Sequence, residues 1–408
     1  MKRLLGVALG ILTAIGGFVD IGDLVTNAVV GSRFGLSLIW VVLVGVVGIC
    51  VFANMSGRVA AASGRATFEV IRERLGPRAG LANLSASFLI NLMTVTAEIG
   101  GVALALQLAS SVNYLLWIPL AAVAVWLVIW RVKFSIMENV TGLLGLTLIV
   151  FAVALFLLKP DWGNLASQAI PAVPAEETGA TYWYFAIALF GAAMTPYEVF
   201  FFSSGAVEEG WKIKDLIQSR INVLVGFPLG GLLSVAIAGC AAVVLLPAGI
   251  AVTSLSQVIL PVAEGAGKLG LAVVLLGIVA ATFGAALETT LSSGYTLAQF
   301  FGWSWGKFRA PAQAARFHLA MIICLLVGIG VLATGVDPVL VTEYSVVFSA
   351  VALPLTYLPI LIVANDPQYM GHHVNGRGVN VVAMIYLVVI LVASLAAIPL
   401  MIVTGAGA

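Results

Sequence analysis

Charge is what this chain has least of. Only 9% of its 408 residues are Asp, Glu, Lys or Arg, while 62% are hydrophobic. A soluble domain needs about 25% charged residues to cover itself, so a water-soluble fold is excluded. The net charge is +1, which leaves neither a basic face for nucleic acid nor an acidic tail. The three cysteines, Cys50, Cys240 and Cys324, fall singly inside apolar runs. That excludes a disulfide framework and a cysteine metal site. Only three histidines occur: His318 reads as structural or interfacial, and His372-His373 as a solvated loop pair, so no histidine-rich metal motif is present.

What the chain does have is long apolar runs, near 4–32, 36–62, 82–110, 112–131, 134–158, 181–207, 221–246, 269–300, 312–334, 339–364 and 379–404. Each is long enough for a helix that crosses a bilayer of about 30 Å. Helices are required because a spanning segment must satisfy its own backbone hydrogen bonds. The reading is an all-α polytopic membrane protein of about eleven transmembrane helices, with Met1–Leu5 opening a retained first span and not a cleaved signal. All 19 basic residues except Arg33, Lys159 and Lys268 fall before the first span or in the even-numbered gaps. The positive-inside rule then sets the N-terminus in the cytoplasm and the C-terminus outside the cell membrane. Most of the nine tryptophans stand near span ends, as interface anchors do. Residues 63–80 read as an amphipathic cytoplasmic helix lying on the membrane, with Phe68, Ile71 and Leu75 on its apolar side. Residues 160–180 read as an external loop between two five-helix halves.

Asp20, Asp23, Glu98, Glu198 and Glu288 sit deep in the spans, and no Lys or Arg occupies a span centre. An ionised group at the bilayer centre costs at least ~2.5–3.5 kcal/mol. Unpaired carboxylates there call for protons, a water-filled cavity or a cation from outside. Two local sequences sharpen this. Asp20-Ile21-Gly22-Asp23 interrupts the first span, where Gly22 permits non-helical angles and paired Asp residues compete for backbone bonds. Met194-Thr195-Pro196-Tyr197-Glu198 interrupts the sixth, where Pro196 removes a donor. Each half of the chain thus opens on a broken helix carrying acidic residues near the midplane, the pattern of inverted-repeat transporters.

At these residues the chain resembles the Nramp family of divalent-metal transporters. Asp20-Ile21-Gly22-Asp23 corresponds to the family's Asp-Pro-Gly-Asn motif, and Thr195-Pro196-Tyr197 to its Met-Pro-His motif. Ala97-Glu98-Ile99-Gly100, Gly294 with Gln299-Phe300, and Leu353-Pro354 extend the similarity over nearly the whole chain. The resemblance implies one transmembrane domain, 1–408, with a LeuT-like inverted repeat: helices 1–5 (about 1–160), helices 6–10 (about 181–365) and an additional helix at about 379–404. It also implies a metal site of Asp20, Asp23, the Ala192 carbonyl and position 195, to which Glu198 adds a carboxylate. Glu98, Tyr197 and Glu288 would line the pathway or stand behind the ligands.

The departures from the pattern decide the expected cargo. Thr195 puts a hard oxygen where the family carries a soft thioether, and Asp23 replaces Asn. Carboxylate, carbonyl and water suit Mg, Ca and Mn, and Mg²⁺ keeps several waters while binding one or two carboxylates. The chain is therefore similar to the Nramp-related magnesium transporter branch, which carries Mg²⁺ and Mn²⁺. Met194, one helical step away, should turn from the site. The family's sixth-helix histidines are replaced by Tyr197 and Phe202, and Val95 stands where an acidic residue is expected. The expectation is transport by alternating access without proton coupling. An ordinary proton-coupled Mn²⁺/Fe²⁺ transporter is the alternative, and an acidic site would also accept Ca²⁺. An intramembrane hydrolase would need converging carboxylates or a catalytic metal motif; a carrier of organic cations or amino acids would need aromatic or amine contacts in place of so many carboxylates. No cofactor, nucleic acid or obligatory protein partner is implied; the partners are the divalent ion and the lipid bilayer.

Overall fold

In the computed structural model, which describes residues 18–407, the elements are helical throughout the described chain. The longer ones are α1 (Ile21–Phe34), α2 (Ile39–Ser63), α3 (Thr67–Ser110), α4 (Tyr114–Arg131), α5 (Phe134–Leu157), α6 (Gly179–Ala193), α7 (Pro196–Glu208), α8 (Ile213–Val244), α9 (Leu255–Phe301), α10 (Ala315–Ala333), α11 (Pro338–Ala364) and α12 (Arg377–Val403), with short helices at Trp162–Ser167 and Pro367–Met370 in the connections. With α6 and α7 taken as one broken span, ten helices among the described residues are long and apolar enough to cross a membrane. The expected first span is seen only as the 14-residue α1. Its earlier part, with Lys2 and Arg3, lies outside the described residues. Apolar side chains at Leu116, Leu120, Val123 and Leu127 form an exposed stripe along α4, a face that only lipid would solvate.

The short helix expected over 63–80 ends at Gly76 (φ 81°, ψ 172°), a non-helical residue before Pro77 that divides α3 into two helices joined across a kink. Proline lacks the donor and glycine tolerates the positive φ, so the chain turns sharply there. Gly267 (φ 63°, ψ −156°) divides α9 in the same way: its second part starts close to the expected 269, while the helix before it, from Leu255, was not foreseen. The eighth element, expected from 221, starts at Ile213. The first turns of α3 also correct the membrane-surface reading. Phe68 and Ile71 are buried in the protein, and the Phe68 ring meets that of Phe200 at 5.1 Å.

The even-numbered gaps meet at one end. Arg58 reaches Asn375, Arg74 pairs with Asp366, Arg72 donates to the Phe300 carbonyl at 2.5 Å, and Trp305 donates to Glu69 at 3.0 Å. At the opposite end Arg33 pairs with Glu177 at 2.7 Å and donates to the Gly407 carbonyl.

The apolar residues bury themselves in two clusters. One is built mainly from α1, α2, α6, α8, α11 and α12; the other from α4, α10, the end of α9 and one face of α3. α7 straddles them, with Val199 and Phe200 in the first and Phe201 in the second. The acidic residues of the two broken helices lie along this seam.

Candidate functional site

The break before α1 is a capped helix start. Asp20 is the N-cap (φ −97°, ψ −176°), and its Oδ1 accepts from the Asp23 N–H at 2.8 Å. Asp20 Oδ2 accepts the Tyr197 hydroxyl at 3.3 Å. Glu98 Oε1 takes the Ile21 N–H at 3.2 Å, another of the donors that a helix start leaves open. Asn27 donates to the Asp23 carbonyl at 2.8 Å and holds the first turn. Gly22 has no room for a side chain: a Cβ would lie 2.8 Å from Val346 Cγ1 and 3.0 Å from Asp20 Oδ1.

The second break runs through Met194 (φ −123°, ψ 47°) and Thr195 (φ −61°, ψ 128°), with Pro196 at the first position of α7. The proline has a direct consequence at Ala192. An α-helical carbonyl accepts from the residue four positions on, which for Ala192 is Pro196, so its carbonyl has no intrahelical donor. Thr195 and Glu198 have the spacing of a capping box, which would consume both side chains. Thr195 makes no side-chain bond to the α7 backbone; its side chain instead hydrogen-bonds that of Glu198, so hydroxyl and carboxylate stand together at the break. The Tyr357 hydroxyl donates to the Met194 carbonyl at 3.1 Å. The Met194 side chain points away from Asp20, and its Sδ would lie 2.6 Å from a Cβ at Gly48, next to Tyr386 of α12. The expectation that it turns from the site holds.

Asp20, Asp23, Thr195 and Glu98 are buried, the last fully. Asp20, Glu98 and Thr195 share a small cavity of about 10 Å³ with Thr94, Ser345 and Ser349, room for about one water. Glu98 Oε2 has no hydrogen-bond partner. Glu198 is half-buried and within electrostatic reach of Asp20. Glu288 is not hydrogen-bonded to this group; it stands on α9 within electrostatic reach of Glu198, Glu138 and Asp20. Among the described residues no three His, Cys, Asp or Glu side chains converge tightly enough to hold a metal by themselves. An ion here would draw on hydroxyl, carbonyl and water oxygens as well as carboxylates. His372 and His373 are exposed in a short turn remote from these residues, and His318 is buried with Nε2 3.1 Å from the Arg309 carbonyl.

The sequence reading overlooked the hydroxyl wall of α11. Thr342, Ser345 and Ser349 recur at steps of three and four in an apolar helix, which is one helical face, and that spacing was a usable signal. It also overlooked Thr94, which shares a 3.0 Å hydrogen bond with Ser345, and Glu138 near the start of α5.

Residues 10–399 match the natural resistance-associated macrophage protein-like (Nramp) family, and the chain belongs to it. A relative from Pectobacterium carotovorum named divalent metal cation transporter MntH is 25% identical over 93% of this chain and 90% of its own length. One of the same name from Deinococcus radiodurans is 25% identical over 92% and 85%. Among solved structures, the Eremococcus coleocola manganese transporter aligns over 96% of this chain and 85% of its own, with TM-score 0.71 and 19% identity. Mhp1, a nucleobase-cation-symport-1 family transporter, aligns in a closed conformation over 96% and 91%, with TM-score 0.64 and 17% identity. The LeuT-like arrangement and the reading as a transporter and not an enzyme are thereby borne out.

Proposed function

We propose that this Nramp-family protein imports Mg²⁺, and Mn²⁺ beside it, by alternating access and without proton coupling, with the N-terminus cytoplasmic and the C-terminus outside. Asp20, Asp23, the Ala192 carbonyl and Thr195 are the proposed ligands, with Glu198 as an additional carboxylate. Glu98, Tyr197 and Glu288 serve the pathway around them. The observation that carries this reading is a donor set made of oxygen alone. The Thr195 hydroxyl stands hydrogen-bonded beside the Glu198 carboxylate, Pro196 frees the Ala192 carbonyl, and the neighbouring sulfur of Met194 is packed against α2 and α12. Mg²⁺ binds oxygen and keeps part of its water shell, which suits a site with few protein carboxylates close together and hydroxyls beside them. Residues 197 and 202 are Tyr and Phe, so no imidazole adjoins Asp20 to pass a proton. Energetically none is needed: a divalent ion gains ~4.6 kcal/mol per 100 mV, twice the value for one charge, enough for roughly three orders of magnitude of accumulation.

A second reading, a proton-coupled Mn²⁺ transporter, is favoured by the names of the relatives. Mg²⁺ influx into proteoliposomes at a fixed negative-inside potential, with a pH dye in the same vesicles and Asp20→Ala as control, separates the two. Saturable Mg²⁺ entry without acidification, lost in the variant, is expected. Mn²⁺ entry with protons and no Mg²⁺ entry would establish the second reading instead.

A further inference from the structure

α7 carries Thr195 at one end and Glu208 at the other, joined by a rigid 13-residue helix of about 20 Å. Glu208 Oε1 accepts two hydrogen bonds of 2.6 Å, from the Tyr295 hydroxyl on α9 and from the Lys307 backbone N–H in the α9–α10 connection. Both donors are fixed in the second apolar cluster and its surroundings. The fully buried Tyr295 stacks on Phe317 of α10 and meets Trp305 edge-on, with ring centroids 5.4 Å apart in each case. The Lys307 ammonium is spent on the carbonyls that end α4, at Ile129 (2.9 Å), Val128 (3.4 Å) and Val132. Glu208 Oε2 is buried with no partner, a costly arrangement for a carboxylate oxygen. It becomes intelligible if a second conformation hydrates that oxygen. A cavity of about 390 Å³ borders Glu208 and the Trp303–Arg309 segment, open volume at the place where the end of α7 would move.

We infer that Glu208 is a latch: its carboxylate ties the basic end of α7 to the α9–α10 frame across the seam between the two cores, and cargo leaves toward that end only after both bonds break. Because α7 also carries Thr195, opening the latch and opening the ion site are one movement. The inference rests on the transporter reading for the existence of a second conformation, but not on which ion is carried. It is therefore tested without an ion.

The test reads the accessibility of single cysteines to a small methanethiosulfonate reagent. Ser292→Cys reports the basic end: Ser292 is fully buried one turn from Tyr295, with its hydroxyl on the Tyr197 carbonyl at 3.3 Å. Ser345→Cys, beside the ion site on α11, reports the opposite side. The native cysteines are all buried, so the unaltered chain gives the background. Adding Glu208→Ala is expected to speed modification at position 292 about tenfold or more, which corresponds to ~1.4 kcal/mol, and to slow it at 345. Glu208→Gln keeps an acceptor for both donors and should stay within about threefold of the parent, given the modest worth of a neutral hydrogen bond. Unchanged rates at 292, equal rates for the Ala and Gln variants, or parallel increases at 292 and 345 that signal general loosening would each overturn the latch. If Glu208→Ala fails to give a monodisperse protein, Tyr295→Phe removes one donor with little change of shape. It should raise the rate at 292 about threefold or more, and no rise would refute the inference.

Discussion

Replacing Thr195 with methionine exchanges a hard oxygen for a soft thioether at the one position where the oxygen-only reading of the site is most exposed. A hydrogen bond or contact to a charged group contributes about 1.5–3 kcal/mol, so losing the hydroxyl should weaken Mg²⁺ by roughly 10- to 150-fold. Water cannot easily make good the loss. The cavity bordering Thr195 is about 10 Å³, room for about one water, and the longer methionine side chain would occupy it. Mn²⁺, more tolerant of sulfur than Mg²⁺, should change less than about tenfold, so that the ratio of the two affinities inverts or closes. The assay is competition uptake into proteoliposomes at a fixed potential, with Thr195→Ser, which keeps the oxygen, alongside. If Mg²⁺ and Mn²⁺ weaken in parallel, or if Thr195→Met leaves Mg²⁺ uptake saturating where it did before, Thr195 is not a ligand and its hydroxyl does not select magnesium.

Three further outcomes follow from the same geometry. Gly22→Ala sets a methyl 2.8 Å from Val346 and 3.0 Å from Asp20 Oδ1; overpacking of this kind costs about 1–3 kcal/mol, and isothermal titration should find ion affinity lowered at least about fivefold. Ser345→Ala with Ser349→Ala strips hydroxyls that adjoin the site, and at about 0.5–1.5 kcal/mol per bond each change should raise the half-saturating Mg²⁺ concentration some 2- to 12-fold, measured by uptake against concentration. The Asp366 carboxyl is held below the usual aspartate range, first by the Gln368 N–H and then by Arg74. Its contribution is therefore fully present above that range and is lost as pH falls through the lowered value, so hydrogen exchange in the 367–370 turn should stay slow at mildly acidic pH and accelerate only below it; acceleration at pH 5 would contradict the assignment.

The number and order of the spans were legible because each apolar run must satisfy the bilayer by itself, whatever its neighbours do. The two broken helices were legible for a related reason: Asp20, Gly22 and Pro196 conflict with helix locally, and local conflict is visible in one dimension. Helix ends were not. The helix that runs from Leu255 to the kink at Gly267 was missed because polar and charged residues such as Gln257 and Glu264 interrupt its apolar pattern, and Phe68 was assigned to the membrane because its partner, Phe200, is over a hundred positions away in the chain. The site divides along the same line. Asp20, Asp23, Thr195 and Glu198 announce themselves as polar residues at a break, and the Ala192 carbonyl follows from the proline four positions on. Thr94, Ser345 and Glu138 are individually ordinary residues in ordinary helices, and their meaning depends on which helix faces which. The latch was illegible for the strongest version of this reason. Glu208 reads as one more acidic residue at a helix end, where solvent would explain it; its role comes from a tyrosine hydroxyl and a backbone N–H on two other segments. Sequence thus locates where the chain must break, while the contacts that would couple the break to movement depend on the fold that assembles them.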